Sequence, residues 1–231
     1  MCDIAAVLLR VLPFLACLIP GFAAAHPPAA PTHPSGYCEA AITAAETTER
    51  LPARLIDAIA VTESGRLDPA SGRVRPWPWT INAEGTGQFF ASRQEAIAAV
   101  QALQARGVRS IDVGCMQVNL MHHPNAFRSL EEAFDPAANA RYAARFLSSL
   151  YAVHGHWPTA VGAYHSATPV LGNAYRDIVL ARWQRPLPGT GPADSSAYRA
   201  FTGSARAYGT ARAYGAFANA GQAYGAFTTR N

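Results

Sequence analysis

Lysine is absent from this 231-residue sequence, and all 19 of its basic residues are arginine. There are 15 acidic residues, so the net charge is only +4. Residues 185–231 contain five arginines and one aspartate, whereas residues 26–184 contain 13 arginines and 13 acids. A nucleic-acid-binding domain normally carries a basic face. Because the central region has no basic excess, we do not expect nucleic acid to be a partner.

Three further absences exclude particular classes of protein and of binding site. With only four cysteines, the chain is not a small disulfide-rich scaffold. It has neither a Gly-rich phosphate loop nor a Gly-x-Ser-x-Gly elbow, the motifs of two large enzyme classes. The pairs His122-His123 and His154-Gly-His156 have no Asp, Glu or Cys cluster at ligand spacing, so we predict neither a metal nor another cofactor. The composition permits a folded core, since 50% of the residues are hydrophobic and 15% are charged.

The sequence begins with a candidate export signal. Residues 7–19 are almost all apolar, and small residues follow at 23–25. This pattern predicts a cleaved secretory signal peptide over 1–25, and hence a periplasmic protein, because the apolar stretch is short and interrupted for a membrane span. An uncleaved anchor and a lipoprotein signal at Cys17 are the alternatives. Residues 26–36 are rich in proline and alanine and are interpreted as a linker.

Export would leave two cysteines, Cys38 and Cys115, in an oxidising compartment. We expect these two residues to form a disulfide. Closing a loop of that length would stabilise the fold by about 4 kcal/mol in the chain-entropy description. Two separate buried thiols are the alternative.

Residues 37–184 have the pattern of a helical domain with a small hairpin. Apolar periodicity and capping residues predict helices over 37–49, 52–64, 92–106, 136–153, 159–166 and 170–183. Short extended segments are predicted at 79–82, 88–90 and 110–113, the first two joined by a turn. The prediction is therefore a mainly α domain.

The helix that follows Asp135 carries two specific expectations. Asp135 is predicted to be its N-cap, with a proline as the first helical residue. Spacing along the helix predicts a buried stripe of apolar residues. We expect that stripe to consist of Tyr142, Phe146, Leu150 and Val153.

The composition changes in residues 185–231. From position 186 onward there is one leucine and no isoleucine or valine, and Ala-Tyr-Gly recurs at 207–209, 213–215 and 223–225. Without branched aliphatic residues this segment cannot bury enough surface to offset chain entropy, so we predict a disordered tail. Its arginines and aromatics could adhere weakly to an anionic polymer. A solvated tail without a specific partner is the alternative.

Glu63 is the candidate catalytic residue. On its predicted helix it falls four residues after Ile59, on the face that also carries Leu55 and Ile56. Burial there and the negative end of the helix dipole both raise the pKa of a carboxyl. A glutamate that stays protonated near neutral pH can act as general acid on a glycosidic oxygen. The alternative is an ordinary glutamate at an exposed helix end.

Three short motifs follow one another along this helical pattern. They are Glu63-Ser64, Gly114-Cys115-Met116-Gln117 and Ala163-Tyr164-His165. Together they resemble the soluble lytic murein transglycosylase family, whose SLT domain has the motifs Glu-Ser, Gly-Leu-Met-Gln and Ala-Tyr-Asn. The resemblance covers roughly residues 38–184, with Cys in place of Leu and His in place of Asn. It implies a lysozyme-like α+β fold, mainly α, with a small β-hairpin insertion.

The resemblance also implies roles for the matching residues. Glu63 would be the single general acid and then the general base, oriented by Ser64. Gln117 and Asn119 would hydrogen-bond the N-acetyl and hydroxyl groups of a sugar. Met116 would pack against a sugar ring, and Tyr164 would place its hydroxyl near Glu63.

Other features of the resemblance are less specific. The cysteine in the second motif fits a disulfide between Cys38 and Cys115, which would fix that motif against the first helix. His165 is either structural or a substrate contact. The stretch 77–85 resembles an insertion of exported, often assembly-associated members. Four aromatic residues in and near it could stack on sugars or simply pack in the core or hairpin, namely Trp77, Trp79, Phe89 and Phe90.

The implied reaction is cleavage of the β-1,4 bond between N-acetylmuramic acid and N-acetylglucosamine in peptidoglycan. A usual glycosidase needs two carboxylates. Asp68, Glu84 and Asp112 are available, and nothing in their spacing singles one out. The family dispenses with a second acid, because the muramyl acetamido group assists departure and the C6 hydroxyl of that sugar attacks C1. The product has a 1,6-anhydromuramyl end.

Three functions remain open from the sequence. The first is a monomeric lytic transglycosylase that opens peptidoglycan strands for an envelope-spanning assembly, with flagellar or secretion-system components as candidate partners. The second is a non-catalytic peptidoglycan-binding scaffold factor, against which the intact Glu63 argues. The third is a water-using muramidase.

Overall fold

The computed structural model describes residues 33–69 and 71–184. The predicted signal peptide at 1–25 and the predicted tail at 185–231 lie outside the described residues, as does most of the predicted linker. The first helix begins at Pro34, so the last three residues of the predicted linker are helical. Proline is favoured there because the first helical residue has no intrahelical hydrogen bond to donate.

Helices dominate the described residues, and this confirms the prediction of a mainly α fold. The helices are α1 (Pro34–Glu49), α2 (Leu55–Ser64), α3 (Arg93–Ala105), α4 (Leu130–Ala133), α5 (Pro136–His154), α6 (Trp157–His165) and α7 (Pro169–Trp183). The strands are β1 (Gly65–Asp68), β2 (Arg73–Pro76), β3 (Thr80–Ala83), β4 (Thr86–Phe89), β5 (Ile111–Val113) and β6 (Val118–Asn119). Along 33–69 and 71–184, no helix has the length and apolarity needed to cross a membrane.

The strands form two small antiparallel sheets. β1 and β2 make a hairpin of their own, and the other four strands follow the order β4-β3-β5-β6. The β3–β4 hairpin is the predicted one, and its strands turn between Ala83 and Thr86. The β1–β2 hairpin was not predicted, because its apolar residues Leu67 and Val74 lie on the exposed face and the region is rich in proline and glycine.

The four-stranded sheet aligns a row of polar residues. Asn82 of β3 pairs with Asp112 of β5, and Asp112 pairs in turn with Asn119 of β6. Residues directly opposite one another on neighbouring strands project from the same face of a sheet. The row therefore places a carboxyl between two amides, on a face that also lines a cleft.

The core has two parts. The larger part is formed mainly by residues of α1, α2, α5, α6 and α7, including Ile42, Ile56 and Leu147. The smaller part packs the four-stranded sheet against α3, through residues such as Ile81 and Val100. Each fully buried aliphatic side chain contributes roughly 1.5–3 kcal/mol relative to an exposed one. Packing of these two clusters holds the helices and the sheet that line the cleft.

The predicted stripe of α5 is partly wrong. Leu150 is buried, but Val153 is 74% exposed. Tyr142 and Phe146 are only half-buried and line the cleft. The face of α5 that packs into the core is rich in alanine, with the buried residues Ala140, Ala143, Ala144 and Leu147. Small side chains allow neighbouring helices to approach closely. The face of α5 that packs into the core therefore lies beside the predicted stripe of large apolar residues. The predicted N-cap is present, since the Asp135 carboxylate accepts a hydrogen bond from the Ala138 N–H at 2.8 Å.

Cys38 of α1 and Cys115, which lies between β5 and β6, are joined by a disulfide. Their Cα atoms are 5.8 Å apart, and both residues are fully buried. The bond spans 77 residues of chain. It ties the second sequence motif to the first helix.

Candidate active site

A cleft of about 790 Å³ is lined by residues of the four-stranded sheet and of helices α2, α5, α6 and α7. It brings together several residues that the sequence singled out. These are Glu63, Gln117, Asn119, Tyr164 and His165. The cleft is therefore the candidate active site.

Glu63 lies in the last turn of α2, next to the final helical residue. Its carboxyl is enclosed by protein while the residue keeps partial access to the cleft. Burial raises the pKa of Glu63 to about 8, although a hydrogen bond from Tyr175 lowers it; the nearby charge of Asp112 adds to the rise. A carboxyl with this pKa is protonated at neutral pH, as proton donation requires.

Tyr175 is the residue that holds the Glu63 carboxyl. Its hydroxyl donates a hydrogen bond to Glu63 Oε1 at 2.5 Å, and only 2% of the residue is exposed. The ring of His165 stacks on it with centroids 4.5 Å apart and planes 5° from parallel. One turn earlier, a Cβ on Gly172 would lie 2.9 Å from the carbonyl oxygen of Gly162. Only glycine allows α7 to approach α6 this closely, and that approach brings Tyr175 to the carboxyl.

Sequence reasoning missed Tyr175, although a signal was present. Leu171, Tyr175 and Val179 are spaced four residues apart on the last helix, and the structure buries Tyr175 and Val179. A hydroxyl in the middle of an apolar stripe needs a partner when it is buried. The spacing could show that Tyr175 points inward, but not which group, 112 residues away, it meets.

Ser64 is buried and does not hydrogen-bond Glu63. Its hydroxyl lies 2.6 Å from the carbonyl oxygen of Cys115 and 3.3 Å from that of Ala60, the two acceptors within its reach. It also accepts a 3.3 Å hydrogen bond from the N–H of Trp77. Ser64 therefore fixes the end of α2 against the second motif, and it positions Glu63 through the backbone.

The second motif depends on a glycine and on Asn139 of α5. Gly114 has φ +82°, and a Cβ there would lie 2.5 Å from the Asn139 amide. That amide accepts a hydrogen bond from the Met116 N–H and donates to the carbonyl oxygens of Val113 and Ala133. The side chain of Met116 is fully buried in the core and has no surface in the cleft. The structure therefore gives Met116 a packing role and not the predicted contact with a sugar ring.

Gln117 presents one free acceptor to the cleft. Its backbone has φ +46°, and its amide nitrogen donates to the carbonyl oxygens of Thr80 and Gly114 at 3.1 and 3.0 Å. Both amide hydrogens are thereby used. Within the described part of the chain, no donor contacts the side-chain oxygen, which can accept a hydrogen bond from a ligand.

Asn119 is occupied by protein partners. Its oxygen accepts hydrogen bonds from the backbone N–H groups of Met121 and His122, both at 3.0 Å. Its nitrogen donates to Asp112 Oδ1 at 2.8 Å and to the Ser110 hydroxyl at 2.9 Å. These contacts leave its two N–H hydrogens committed, and only 5% of the residue is exposed. Asn119 holds Asp112, and this contact replaces the predicted contact with a sugar hydroxyl.

The third motif lines the cleft beside Glu63. The Tyr164 hydroxyl donates to the carbonyl oxygen of Met116 at 2.9 Å, so it links α6 to the second motif. Tyr175 is the tyrosine whose hydroxyl donates to Glu63, and the predicted place of the Tyr164 hydroxyl near Glu63 stays a prediction. Burial lowers the pKa of His165, which keeps its ring neutral against the tyrosine it stacks on.

The four aromatic candidates differ in their burial and in whether they line the cleft. Trp77 is buried and donates to the carbonyl oxygen of Phe90 at 2.7 Å. Trp79 and Phe90 pack against the smaller core. Phe89 alone of the four lines the cleft, and it is 44% exposed. The Arg66 guanidinium lies 4.4 Å from the Trp77 ring centroid and 5.8 Å from that of Phe89.

The three additional acids, Asp68, Glu84 and Asp112, lie in different parts of the fold. Asp68 is buried at the β1–β2 hairpin, where it accepts a hydrogen bond from Ser71. Glu84 is exposed at the turn of the other hairpin and lies 3.8 Å from an Arg106 nitrogen. Asp112 lies in the cleft, close enough to raise the pKa of Glu63.

His123 and His156, which belong to the two histidine pairs of the sequence, contact tyrosine and threonine hydroxyls. His123 Nδ1 lies 2.8 Å from the Tyr142 hydroxyl, and its ring packs against Phe146. His156 Nδ1 lies 3.3 Å from the Thr159 hydroxyl. In 33–69 and 71–184, no group of three His, Cys, Asp or Glu side chains is placed to hold a metal ion.

Comparison with known proteins gives one family. The model of the Transglycosylase SLT domain matches residues 40–177, which include all three motifs. No curated protein and no solved structure matches the chain. Because the family match spans 138 of the 231 residues, the chain belongs to the transglycosylase SLT domain family, whose fold is lysozyme-like and whose substrate is peptidoglycan.

Proposed function

We propose that this protein is a lytic transglycosylase that cleaves the β-1,4 bond between N-acetylmuramic acid and N-acetylglucosamine and leaves a 1,6-anhydromuramyl end. Membership of the SLT family supports the reaction class. The observation that carries the proposal is the position of Glu63, a carboxyl that is protonated at neutral pH and lines the cleft.

In the first step Glu63 acts as general acid. Its proton passes to the glycosidic oxygen while the bond from that oxygen to C1 of the muramyl sugar breaks. The bonding electron pair leaves with the oxygen, and positive charge develops at C1. The acetamido oxygen of the same sugar shares that charge, so departure needs no protein nucleophile.

In the second step the ionised Glu63 acts as general base. The C6 hydroxyl of the muramyl sugar attacks C1 and gives its proton to Glu63. One C–O bond has formed for the one that broke, Glu63 has regained its proton, and no water is consumed. The attacking group already belongs to the bound sugar, so the step gains from proximity.

The remaining cleft residues have supporting roles in the proposal. Gln117 offers its side-chain oxygen to the N–H of an acetamido group. Phe89 offers an exposed ring to a sugar face. Tyr175 fixes the rotamer of Glu63, and Ser64 fixes the end of the helix that carries it. Tyr164 holds the second motif from the other side.

The cellular setting is also part of the proposal. An exported, periplasmic enzyme of this class would open glycan strands so that an envelope-spanning assembly can pass through the wall. The signal-peptide pattern at 1–25 supports export, and action on peptidoglycan places the substrate outside the cytoplasm. Flagellar and secretion-system components are the candidate partners, and the enzyme is proposed to be a monomer.

A second candidate is a water-using muramidase. It is favoured by one observation, the presence of Asp112 in the same cleft as Glu63. A second carboxylate can activate water in an inverting glycosidase. The two candidates differ in their product, since a muramidase leaves a reducing end.

Glu63→Gln tests the proposal. This change keeps the shape of the side chain and removes the transferable proton. We expect release of soluble muropeptides from purified sacculi to fall by about 10² to 10⁴, while binding to sacculi persists. Glu131→Gln is the matched control, because Glu131 is an exposed carboxylate on α4 that does not line the cleft. Equal activity in the Glu63 variant and the wild type would refute the role of Glu63.

A further inference from the structure

We propose that Asp112 is a second functional carboxylate of this cleft, which stabilises positive charge on the muramyl ring and retains the proton on Glu63 until the glycosidic oxygen takes it. This inference rests on the proposed function. Asp112 forms no covalent bond in it and acts only through its charge.

The sheet builds the position of Asp112. It lies at the centre of β5, directly between Asn82 of β3 and Asn119 of β6, on the face of the sheet that lines the cleft. Aspartate is disfavoured within strands, and a carboxyl enclosed by protein is costly unless it is held by donors. A largely enclosed aspartate in the middle strand is therefore not accounted for by the stability of the sheet.

Asn119 is fixed so that it can only donate to Asp112. Its oxygen is held by the N–H groups of Met121 and His122, so its nitrogen must face Asp112 and Ser110. A donated hydrogen bond favours the ionised carboxylate over the neutral acid. Among the described residues, the other Asp112 oxygen receives no hydrogen bond, and it remains available to charge within the cleft.

The pKa values of the two enclosed carboxyls of the cleft, Asp112 and Glu63, differ. Burial raises the pKa of Asp112 to about 6, against the lowering effect of Asn119, and burial raises the pKa of Glu63 to about 8. Between these values Asp112 is ionised and Glu63 is protonated. A pair of carboxyls divided in this way supplies one acid and one negative charge to the same sugar.

Other titratable groups also face the cleft. The groups other than tyrosines are Glu84 at the hairpin turn, Arg109 before β5, His123 after β6, His165 on α6 and Arg182 on α7. The tyrosines are Tyr142, Tyr164 and Tyr175. The pKa of Asp112 is set by its burial and by the amide of Asn119, and that of Glu63 by burial, Tyr175 and Asp112. Burial lowers the pKa of His123 and His165, so these two imidazoles also titrate on the acid side, and it is the Asp112→Asn variant that assigns the acid limb to Asp112.

The test is the pH–rate profile of muropeptide release from purified sacculi between pH 4 and pH 9, with wild-type protein, Asp112→Asn and Glu131→Gln, the last an exposed carboxylate of α4 that does not line the cleft. We expect the wild type to show an acid limb near pH 6 and an alkaline limb near pH 8. Asp112→Asn should release muropeptides about 10- to 100-fold more slowly at its optimum. Its acid limb should disappear, and its alkaline limb should move to lower pH, because the charge that raised the pKa of Glu63 is gone. Glu131→Gln should retain the wild-type profile.

A second variant separates function from folding. Asn119→Ser removes the amide that stabilises ionised Asp112, so the acid limb should move to higher pH while the limb itself remains. Binding to sacculi and the circular dichroism spectrum identify variants that have lost their fold. Retention of both limbs and of the wild-type rate by Asp112→Asn would overturn the inference, as would a wild-type profile without an acid limb near pH 6. Absence of any product from folded wild-type protein would instead refute the proposed function.

Discussion

The hydroxyl of Tyr175 and the carboxyl of Glu63 form a 2.5 Å hydrogen bond between residues 112 positions apart in the chain. This contact joins the last helix of the domain to the end of the second. It stabilises the ionised carboxylate, whereas burial favours the protonated acid. The balance leaves a carboxyl that is protonated at neutral pH and that can still lose its proton during a reaction.

Tyr175→Phe should therefore change the pH profile as well as the rate. Loss of a hydrogen bond to a charged group costs about 1.5–3 kcal/mol, so kcat should fall by at least about tenfold with little change in KM. The pKa of Glu63 should rise further, because the hydrogen bond that lowered it is gone, and the alkaline limb should move to higher pH. Tyr151→Phe is the control, since Tyr151 is exposed and stacks on Trp157 away from the cleft. An unmoved alkaline limb in Tyr175→Phe would contradict the assigned hydrogen bond.

Glu63→Gln should also change the pH dependence of stability. The pKa of Glu63 rises from an ordinary 4.5 to about 8 on folding, so between these values the folded state binds more protons than the unfolded state. The free energy of unfolding therefore falls as pH rises across this range. Glutamine removes this effect, and the Tm of Glu63→Gln relative to wild type should be higher at pH 9 than at pH 5.

Thermal melts at the two pH values check this expectation, with Glu84→Gln as the exposed control. The same difference in Tm at pH 5 and pH 9 for Glu63→Gln would show that the carboxyl is not buried in its neutral form.

The disulfide between Cys38 and Cys115 gives a third prediction. Cys38→Ala should lower the free energy of unfolding by about 4 kcal/mol, because the loop of 77 residues is no longer closed in the unfolded state. The measurement is chemical denaturation of the oxidised protein, with alkylation of the unreduced native protein as a parallel assay. Ready alkylation of both thiols in the native wild type would contradict the bond.

Alanine substitutions at Gly114 and Gly107 form a matched pair that tests the packing of the second motif. Both have positive φ, +82° and +87°, but only Gly114 has a neighbour, the Asn139 amide, where a Cβ would lie. Gly107→Ala should cost only the roughly 1–2 kcal/mol of the left-handed conformation. Gly114→Ala should cost more and should reduce muropeptide release, because Asn139 also holds the Met116 N–H. Equal losses of stability in the two variants would contradict the importance of this contact.

Local signals predicted much of the fold. Asp135 marked the start of α5, and the turn near Glu84 marked the β3–β4 hairpin, because caps and turns depend on residues close in sequence. The stripe of α5 was wrong at Val153, since the packed face is chosen by the alanines that neighbouring helices can approach. Which face of a helix is buried depends on the elements that pack against it. Periodicity along the helix alone does not identify that face.

The site was predicted in outline and not in its contacts. The position of Glu63 on an apolar helix face was enough to anticipate its raised pKa. The partners of Glu63 could not be derived, because Tyr175 and Asp112 are distant in sequence and reach it only through helix packing and sheet pairing. Asn119 and Met116 resemble substrate residues in the motif, yet the structure uses them within the protein.

The mass of the released muropeptides tests the central claim most directly. Purified sacculi are digested with the protein, and the soluble products are treated with borohydride and analysed by mass spectrometry. Attack by the C6 hydroxyl leaves a saturated 1,6-anhydro ring, which lacks the water of a hydrolysis product and cannot be reduced. We predict products about 20 Da lighter than the borohydride-reduced products of a muramidase, since one water and two hydrogens are missing. Reducible ends that gain two hydrogens would contradict the transglycosylase account and favour the water-using alternative.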